Sequence, residues 1–459
     1  MPKVKSSKAL KTLSKTGNVV PYQSTVITVN QPQAPAEKVV SSEYETWTDI
    51  PIKDDTLDTI VTEYNPKETG INPILFVVPK ADENLPDLSR SYIIFNVSGT
   101  EDGTDLAVDN AYFKNNVFHT LIKSIDVELN GTTVTLNSDD YHQEAYVTTV
   151  LNHSKDEQDT FMTCQGWAKD QYGYMDSRNS AQNAAITARG DLKEGKKFLF
   201  IGMPIIDLFK TDKLLPPGLR MDIKIYLNEN KKIFLSAGAN NASNAKLKVN
   251  STKLYISRKV PNADLWDKMQ KKWMSTPWTI PLIHTKLRTF VMGTTSTKFQ
   301  EYDIFNGEIP KTMTMWMVPL NTAEGLYDKN QYNYERNNLT GCEIKLNSKT
   351  FIDYAEKLTD ENITKAYLNM KLQDGSALIN KKGPYITEEE FKNGYFILQF
   401  DLTRAKIGHL DVSETPRSGN LSIHLNFSQV HGAAVQLYVM GTFNRILEVD
   451  YQGNVTYPM

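Results

Sequence analysis

Cysteine is nearly absent, with two residues in 459, Cys164 and Cys342. Two thiols cannot build a disulfide scaffold or a four-thiolate metal site, and so low a count fits folding in a reducing compartment. Neither cysteine has an activating neighbour in sequence, and both read as buried structural thiols. No apolar run approaches the roughly 18 residues of a membrane helix. The N-terminus carries lysines with no apolar stretch behind them, so it does not read as a secretory signal. The histidines, His119, His142, His153, His284, His409, His424 and His431, form no His-x3-His pair and flank no glutamate in a zinc-protease pattern. No Gly-x-Ser-x-Gly elbow occurs. The paired acids Asp54-Asp55 and Asp139-Asp140 read as turn or cap residues. These absences point away from catalysis, and no catalytic residue, metal ligand or cofactor site is expected. A net charge of −3 gives no global field for nucleic acid.

What the chain does have is strand chemistry. Tyrosine (22) and phenylalanine (18) are plentiful, threonine and valine are frequent, and that mix favours strands. Asparagine stands often beside Gly, Ser or Thr, as turns require. With 40% apolar and 23% charged residues, the chain can bury real cores. Its length accommodates two large β-domains.

The chain also repeats itself. Phe198-Leu199-Phe200-Ile201 leads to Asp207-Leu208, then Gly218 and the alternating run Met221–Leu227. In the second half Tyr395-Phe396-Ile397-Leu398 leads to Asp401-Leu402, then Gly419 and the alternating run Leu421–Phe427. Glu128-Leu129-Asn130-Gly131 has its counterpart in Lys345-Leu346-Asn347-Ser348. The spacing drifts while the order holds, which is what a duplicated domain with divergent loops leaves behind.

Residues 1–37 read as a flexible basic arm, rich in Lys, Ser, Thr, Pro and Gln and poor in large apolar groups. Its lysines Lys3, Lys5, Lys8, Lys11 and Lys15 are spread evenly with no acid among them. A solvated tail is the plain reading, and contact with nucleic acid, an acidic partner or an anionic membrane is the functional one. From residue 38 to 260 strands dominate. Ile122–Leu129 alternates and meets Asn130-Gly131, a two-residue hairpin signal. Asp139 to Asn152 reads as a short helix capped by Asp139 or Asp140, and 153–195 as a long excursion on the surface. Residues 261–277 read as a connector helix packed between the halves, with Leu265, Met269 and Trp273 on one face. From 278 to 459 strands return, interrupted by a helix-like segment at 354–392. The closing strands are expected at Val435–Met440 and Phe443–Val449. Short strands with turns about every ten residues mean a sandwich or jelly roll, and nothing reads as a βαβ series.

Two short motifs carry little. Gly190 to Lys196 matches seven positions of a phosphate loop, but the eighth is Lys197 where Ser or Thr should hold magnesium. A strand follows where a helix should. Arg189-Gly190-Asp191 in the same loop could in principle meet a cell-surface receptor, though a tripeptide recurs by chance.

Residues 116–131, Asn-Val-Phe-His-Thr-Leu-Ile-Lys-Ser-Ile-Asp-Val-Glu-Leu-Asn-Gly, resemble a stretch in the major capsid proteins of Polinton/Maverick (adintovirus-like) elements. The resemblance continues through Tyr141 with Ala145-Tyr146, Leu151-Asn152, Gly166-Trp167, Lys169-Asp170 and Met175-Asp176. It resumes with Ile280-Pro281-Leu282, Lys286 to Phe290, Phe305 to Lys311, and Asn333-Tyr334 with Asn337-Asn338-Leu339. It runs in order from about residue 70 to 455.

The resemblance implies an all-β chain of two tandem eight-stranded jelly rolls, residues 38–260 and 278–459, with short helices in loops and a helical inter-domain connector. It further implies a homotrimer with a pseudo-hexameric outline that tiles an icosahedral shell around double-stranded DNA. Penton and minor capsid proteins would complete the shell, and the arm lysines would touch DNA, an internal membrane or a minor capsid protein. The expected location is the virion, made inside the host cell and not secreted. The chain ends ten residues past its last expected strand, an expectation against a fused processing activity. The rival reading is a tandem jelly-roll carbohydrate-binding or glycan-hydrolysing protein. Such proteins are normally secreted and often disulfide-bonded, which this sequence does not favour.

Overall fold

The computed structural model describes residues 55–457, except 69–71, 81–83, 102–103, 106–110, 136–138, 191–195, 237–244, 354–357, 359–362, 374–382, 407 and 409–414. The arm with Lys3, Lys5, Lys8, Lys11 and Lys15, together with Asp191 and His409, lies outside the described residues.

Six short strands aside (Thr104–Asp105, Ala111–Phe113, Phe234–Ser236, Glu308–Ile309, Arg417–Ser418 and Val455–Thr456), eight strands form two sheets in the first half. They are β1 (Thr56–Tyr64), β2 (Ile74–Val78), β3 (Leu85–Glu101), β4 (Ile122–Leu129), β5 (Thr132–Thr133), β6 (Lys197–Gly202), β7 (Met221–Leu227) and β8 (Ala245–Pro261). One sheet runs β1-β8-β3-β6 and the other β2-β7-β4-β5, all antiparallel. Eight more strands follow: β9 (Trp278–Met292), β10 (Lys298–Glu301), β11 (Thr312–Pro319), β12 (Leu339–Leu346), β13 (Lys349–Asp353), β14 (Leu398–Asp401), β15 (Leu421–Phe427) and β16 (Val435–Val449). Their sheets run β9-β16-β11-β14 and β10-β15-β12-β13. Strand for strand, the second order is the first with eight added. The chain is two eight-stranded jelly rolls in tandem.

The repeat read in the sequence falls only partly on matching elements. The two alternating runs are β7 and β15, and Phe198–Ile201 lies in β6, but of Tyr395–Leu398 only Leu398 lies in β14, and Asp207 stands in a short helix beyond β6 while Asp401 ends β14. Asn130 and Gly131 have φ of 47° and 83°, and Asn347 and Ser348 have 50° and 66°. Both pairs hold the left-handed conformation of a two-residue hairpin turn, which Asn and Gly adopt with least strain. They join β4 to β5 and β12 to β13 in the same register: Leu129 faces Thr132, and Leu346 faces Lys349. In β7, Met221, Ile223 and Ile225 are buried while Asp222 and Lys224 are less so, the period of two that a half-buried strand needs.

Three expectations change. Helix α1 (Tyr141–Asn152) has Asp140 at its N-cap, one of the two acids expected there, but begins one residue past it and gains no side-chain capping hydrogen bond. The closing strands are one strand, β16, continuous through Gly441. A Cβ there would lie 2.6 Å from the Phe305 ring, so glycine lets the strand pass beneath it. Helix α2 (Ala263–Ser275) meets the two halves through a single side chain. Trp273 is its one buried residue, anchored by an indole N–H donating to the Val449 carbonyl at 3.0 Å, while Leu265 and Met274 face solvent.

Candidate functional site: the seam between the rolls

The excursion, described over 153–190, keeps many residues on the surface as expected but also reaches inward. Helix α1 and the short turns after it bring Tyr146, Val147, Val150, Leu151, Met162, Trp167 and Met175 into the hydrophobic core of the second roll. The exchange is reciprocal, because Ile280 and Leu282 of β9 and Leu447 and Val449 of β16 enter the core of the first roll. Each roll completes its core with side chains from the other half. At roughly 25 cal/mol per Å² of apolar surface, such burial ties the halves far more firmly than surface contact would.

Polar groups pin the seam. Gln143 Oε1 accepts from the Trp316 indole (3.3 Å) and the Tyr334 hydroxyl (2.8 Å), and its amide donates to the Gln331 carbonyl (3.2 Å). Thr120 and Tyr332 share a 2.6 Å hydroxyl contact. Tyr146 stacks on Tyr332 with ring centres 4.0 Å apart. Lys169 pairs with Glu390 at 2.8 Å and lies over the Tyr385 ring at 3.8 Å. Asp207 receives His284 at 2.5 Å and the Thr285 N–H at 3.3 Å.

Two buried cationic centres stand out. Lys114 is fully buried and donates to the Lys231 carbonyl of the first roll and the Leu326 carbonyl of the second, each at 2.8 Å. Burial pulls its ammonium down to about 7. Arg189 pairs with Asp170 at 2.8 Å, with both side chains fully buried. Asp170 also accepts from Asn183 and, across the seam, from Asn330. Its carbonyl takes the Tyr395 hydroxyl at 3.0 Å.

That pair corrects the receptor-motif reading of Arg189-Gly190-Asp191: the guanidinium is inside the protein and cannot be offered to a receptor. The thiols separate as well. Cys342 is buried as expected, which pushes its thiol up to about 12, whereas Cys164 is exposed. A maleimide is therefore expected to label Cys164 alone in the folded chain, and Cys342 only after denaturation. Equal labelling of both under native conditions, read by mass spectrometry, would contradict this placement. Among the described residues no group of three or more His, Cys, Asp and Glu is placed to hold a metal ion.

The outer surface is uneven. Leu57, Ile60 and Val61 on β1, Leu199 on β6, Ile283 and Val291 on β9 and Ile446 on β16 are exposed. All belong to the β1-β8-β3-β6 sheet and its counterpart β9-β16-β11-β14. Among the described residues, no strand of the other two sheets exposes a large apolar side chain. Sequence reasoning missed the seam because Lys114 and Gln143 belong to no motif, and because the segments of the resemblance that meet there, Ala145-Tyr146, Lys169-Asp170 and Asn333-Tyr334, are far apart in the chain.

Two tandem eight-stranded rolls with interlocked cores define a double jelly-roll protein. Solved structures with this fold include a chain of the Sputnik virophage, with a TM-score of 0.63 and 12% identity, covering 96% of this chain and 93% of that one. The mavirus major capsid protein matches at 0.52 and 13%, covering 96% and 97%, and the Faustovirus major capsid protein at 0.56 and 9%, covering 88% and 92%. An uncharacterised protein of Caenorhabditis elegans is 20% identical over 404 residues, 83% of this chain and 92% of its own length. No family model matches.

Proposed function

We propose that this chain is the major capsid protein of a Polinton/Maverick-type element. It forms pseudo-hexameric homotrimers that tile an icosahedral shell around double-stranded DNA, and it has no catalytic role. The observation that carries the reading is the strand-by-strand duplication held rigid by interlocked cores. Three chains of two matched rolls present six similar units, so a three-fold trimer acquires a near six-fold outline. The likeness to a Sputnik virophage chain and to the mavirus and Faustovirus major capsid proteins spans 88–96% of this chain. The exposed apolar residues on one sheet of each roll supply surface for side-by-side contacts that cover edge strands.

Penton and minor capsid proteins complete the shell in this reading, and the mature protein resides in the virion. Light scattering with negative-stain imaging of purified protein is expected to give trimers with hexagonal outlines, or shells. A strict monomer that binds or hydrolyses sugar would replace this reading with the carbohydrate one.

The arm lysines Lys3, Lys5, Lys8, Lys11 and Lys15 are assigned to contacts with DNA, a membrane or a minor capsid protein. Removing residues 1–20 is expected to leave trimers intact and to lower particle yield or DNA content. Unchanged particles and unchanged DNA content count against the assignment.

A further inference from the structure

His142 sits at the seam with no way to hold a proton. Its ring is fully buried, and neither nitrogen has a hydrogen-bond partner. It meets the Tyr332 ring of the second roll edge-on, with centres 6.3 Å apart. The charges that face it are both cations, Lys114 and Lys232. The nearby acids are engaged elsewhere. Asp140 pairs with Lys232 at 3.3 Å, Glu144 with Lys210 at 3.4 Å, and Asp176 with Lys329 at 3.1 Å and the Asn330 N–H at 2.7 Å. Asp328 acts on Lys114. His119, on the short helix Val117–Thr120, is likewise buried, between the Tyr141 hydroxyl (2.9 Å) and Gln165 (3.2 Å).

We propose that this seam is an acid-sensitive latch: protonation of His142 forces the two rolls apart along the Lys114–Gln143–Tyr332 contacts. An imidazolium there has no acceptor, is cut off from water and faces two ammonium groups. The closed seam therefore excludes the proton, and the open seam admits it. The latch is a property of one chain and holds whether or not the chain builds a shell.

The direction follows from linkage. Burial and the two lysines hold His142 well below its ordinary value of 6.5, and burial holds His119 down at about 3. A base depressed in the closed state contributes stability that is complete above its open-state pKa and is lost as pH falls through it. The sensitive window thus opens near pH 6.5 and deepens downward. Lys114 is not the sensor. Its depression acts between its ordinary 10.5 and about 7, so below pH 7 it only supplies positive charge that opposes protonation of His142.

Amide hydrogen exchange on the full chain tests this, read at 141–152 and 326–334 and corrected for intrinsic rates. Each excluded proton is expected to raise the open-to-closed ratio up to about tenfold per pH unit below 6.5. His142→Phe keeps the ring and is expected to remove one such factor. Seam protection independent of pH between 7.5 and 5, or an undiminished slope in the variant, overturns the proposal. Should that variant fail to fold, deuterium exchange at the histidine ring carbon of the wild type decides. A half-point for His142 well below 6.5 supports the latch, and one at the ordinary value overturns it.

Discussion

Replacing Arg189 with methionine is expected to destabilise the protein by about 3–5 kcal/mol, the cost of stranding a buried charge. The guanidinium reaches three groups at once: the Asp170 carboxylate and the Ala168 carbonyl at 2.8 Å each, and the Phe113 carbonyl at 3.1 Å. Without it, Asp170 keeps only the neutral amides of Asn183 and Asn330. Two carbonyls also lose their donor, and an unsatisfied buried acceptor costs about 1–3 kcal/mol. The double change Arg189→Met with Asp170→Asn should recover part of the loss, because the charge disappears with its partner. Denaturant unfolding of the full chain measures both. A loss below about 1 kcal/mol for the single change is what an exposed pair would give, and it would return Arg189 to the surface.

The strands were legible because they obey local rules. A period of two marks β4, β7 and β15, and Asn-Gly or Asn-Ser at a hairpin needs only its own backbone. Even the duplication could be read, since matching strands keep matching neighbours. The seam was not legible, for a physical reason. Residues 153–195 look like surface because Gln158, Gln165, Asp170, Asn183 and Arg189 are polar, yet all five are buried. Burial of polar groups is tolerable only when each finds a partner. For Asp170 and Arg189 those partners come from distant segments such as Phe113 and Asn330. Pattern reading works inside one element, whereas these pairings join distant segments, and the one to Asn330 exists only after both rolls are in place. Gly166 shows the same limit: its φ is 75°, and a Cβ would lie 2.6 Å from Val117, a closeness no local motif announces.

Helix α2 misled for the opposite reason. Leu265, Met269 and Trp273 make a clear apolar face, but only Trp273 reaches a core. Periodicity says which side of a helix is apolar and not whether anything covers it. Cys164 was misjudged likewise, since a lone thiol carries no pattern that separates inside from outside.

Tyr146→Ala is expected to have the other largest effect, about 3–5 kcal/mol, because it empties an aromatic-sized volume in a packed core. Tyr146 is fully buried, stacked on Tyr332, tilted against Trp167 at 5.4 Å and edge-on to Tyr334 at 5.9 Å. It stands on a helix of the first half, yet its neighbours Tyr332 and Tyr334 belong to the second roll's core. Losing the ring should thus weaken one roll and uncouple it from the other at the same time. Tyr146→Phe keeps the ring and removes a buried hydroxyl that has no hydrogen-bond partner, so it should be close to neutral or slightly stabilising. In calorimetry the wild type should unfold in one transition, because neither core is complete without the other half. Tyr146→Ala should split or broaden it, with the second roll melting first. Two transitions already present in the wild type would show that the interlocked cores do not couple the rolls. The rigid spacing that the proposed six-fold outline demands would then have to come from contacts between chains.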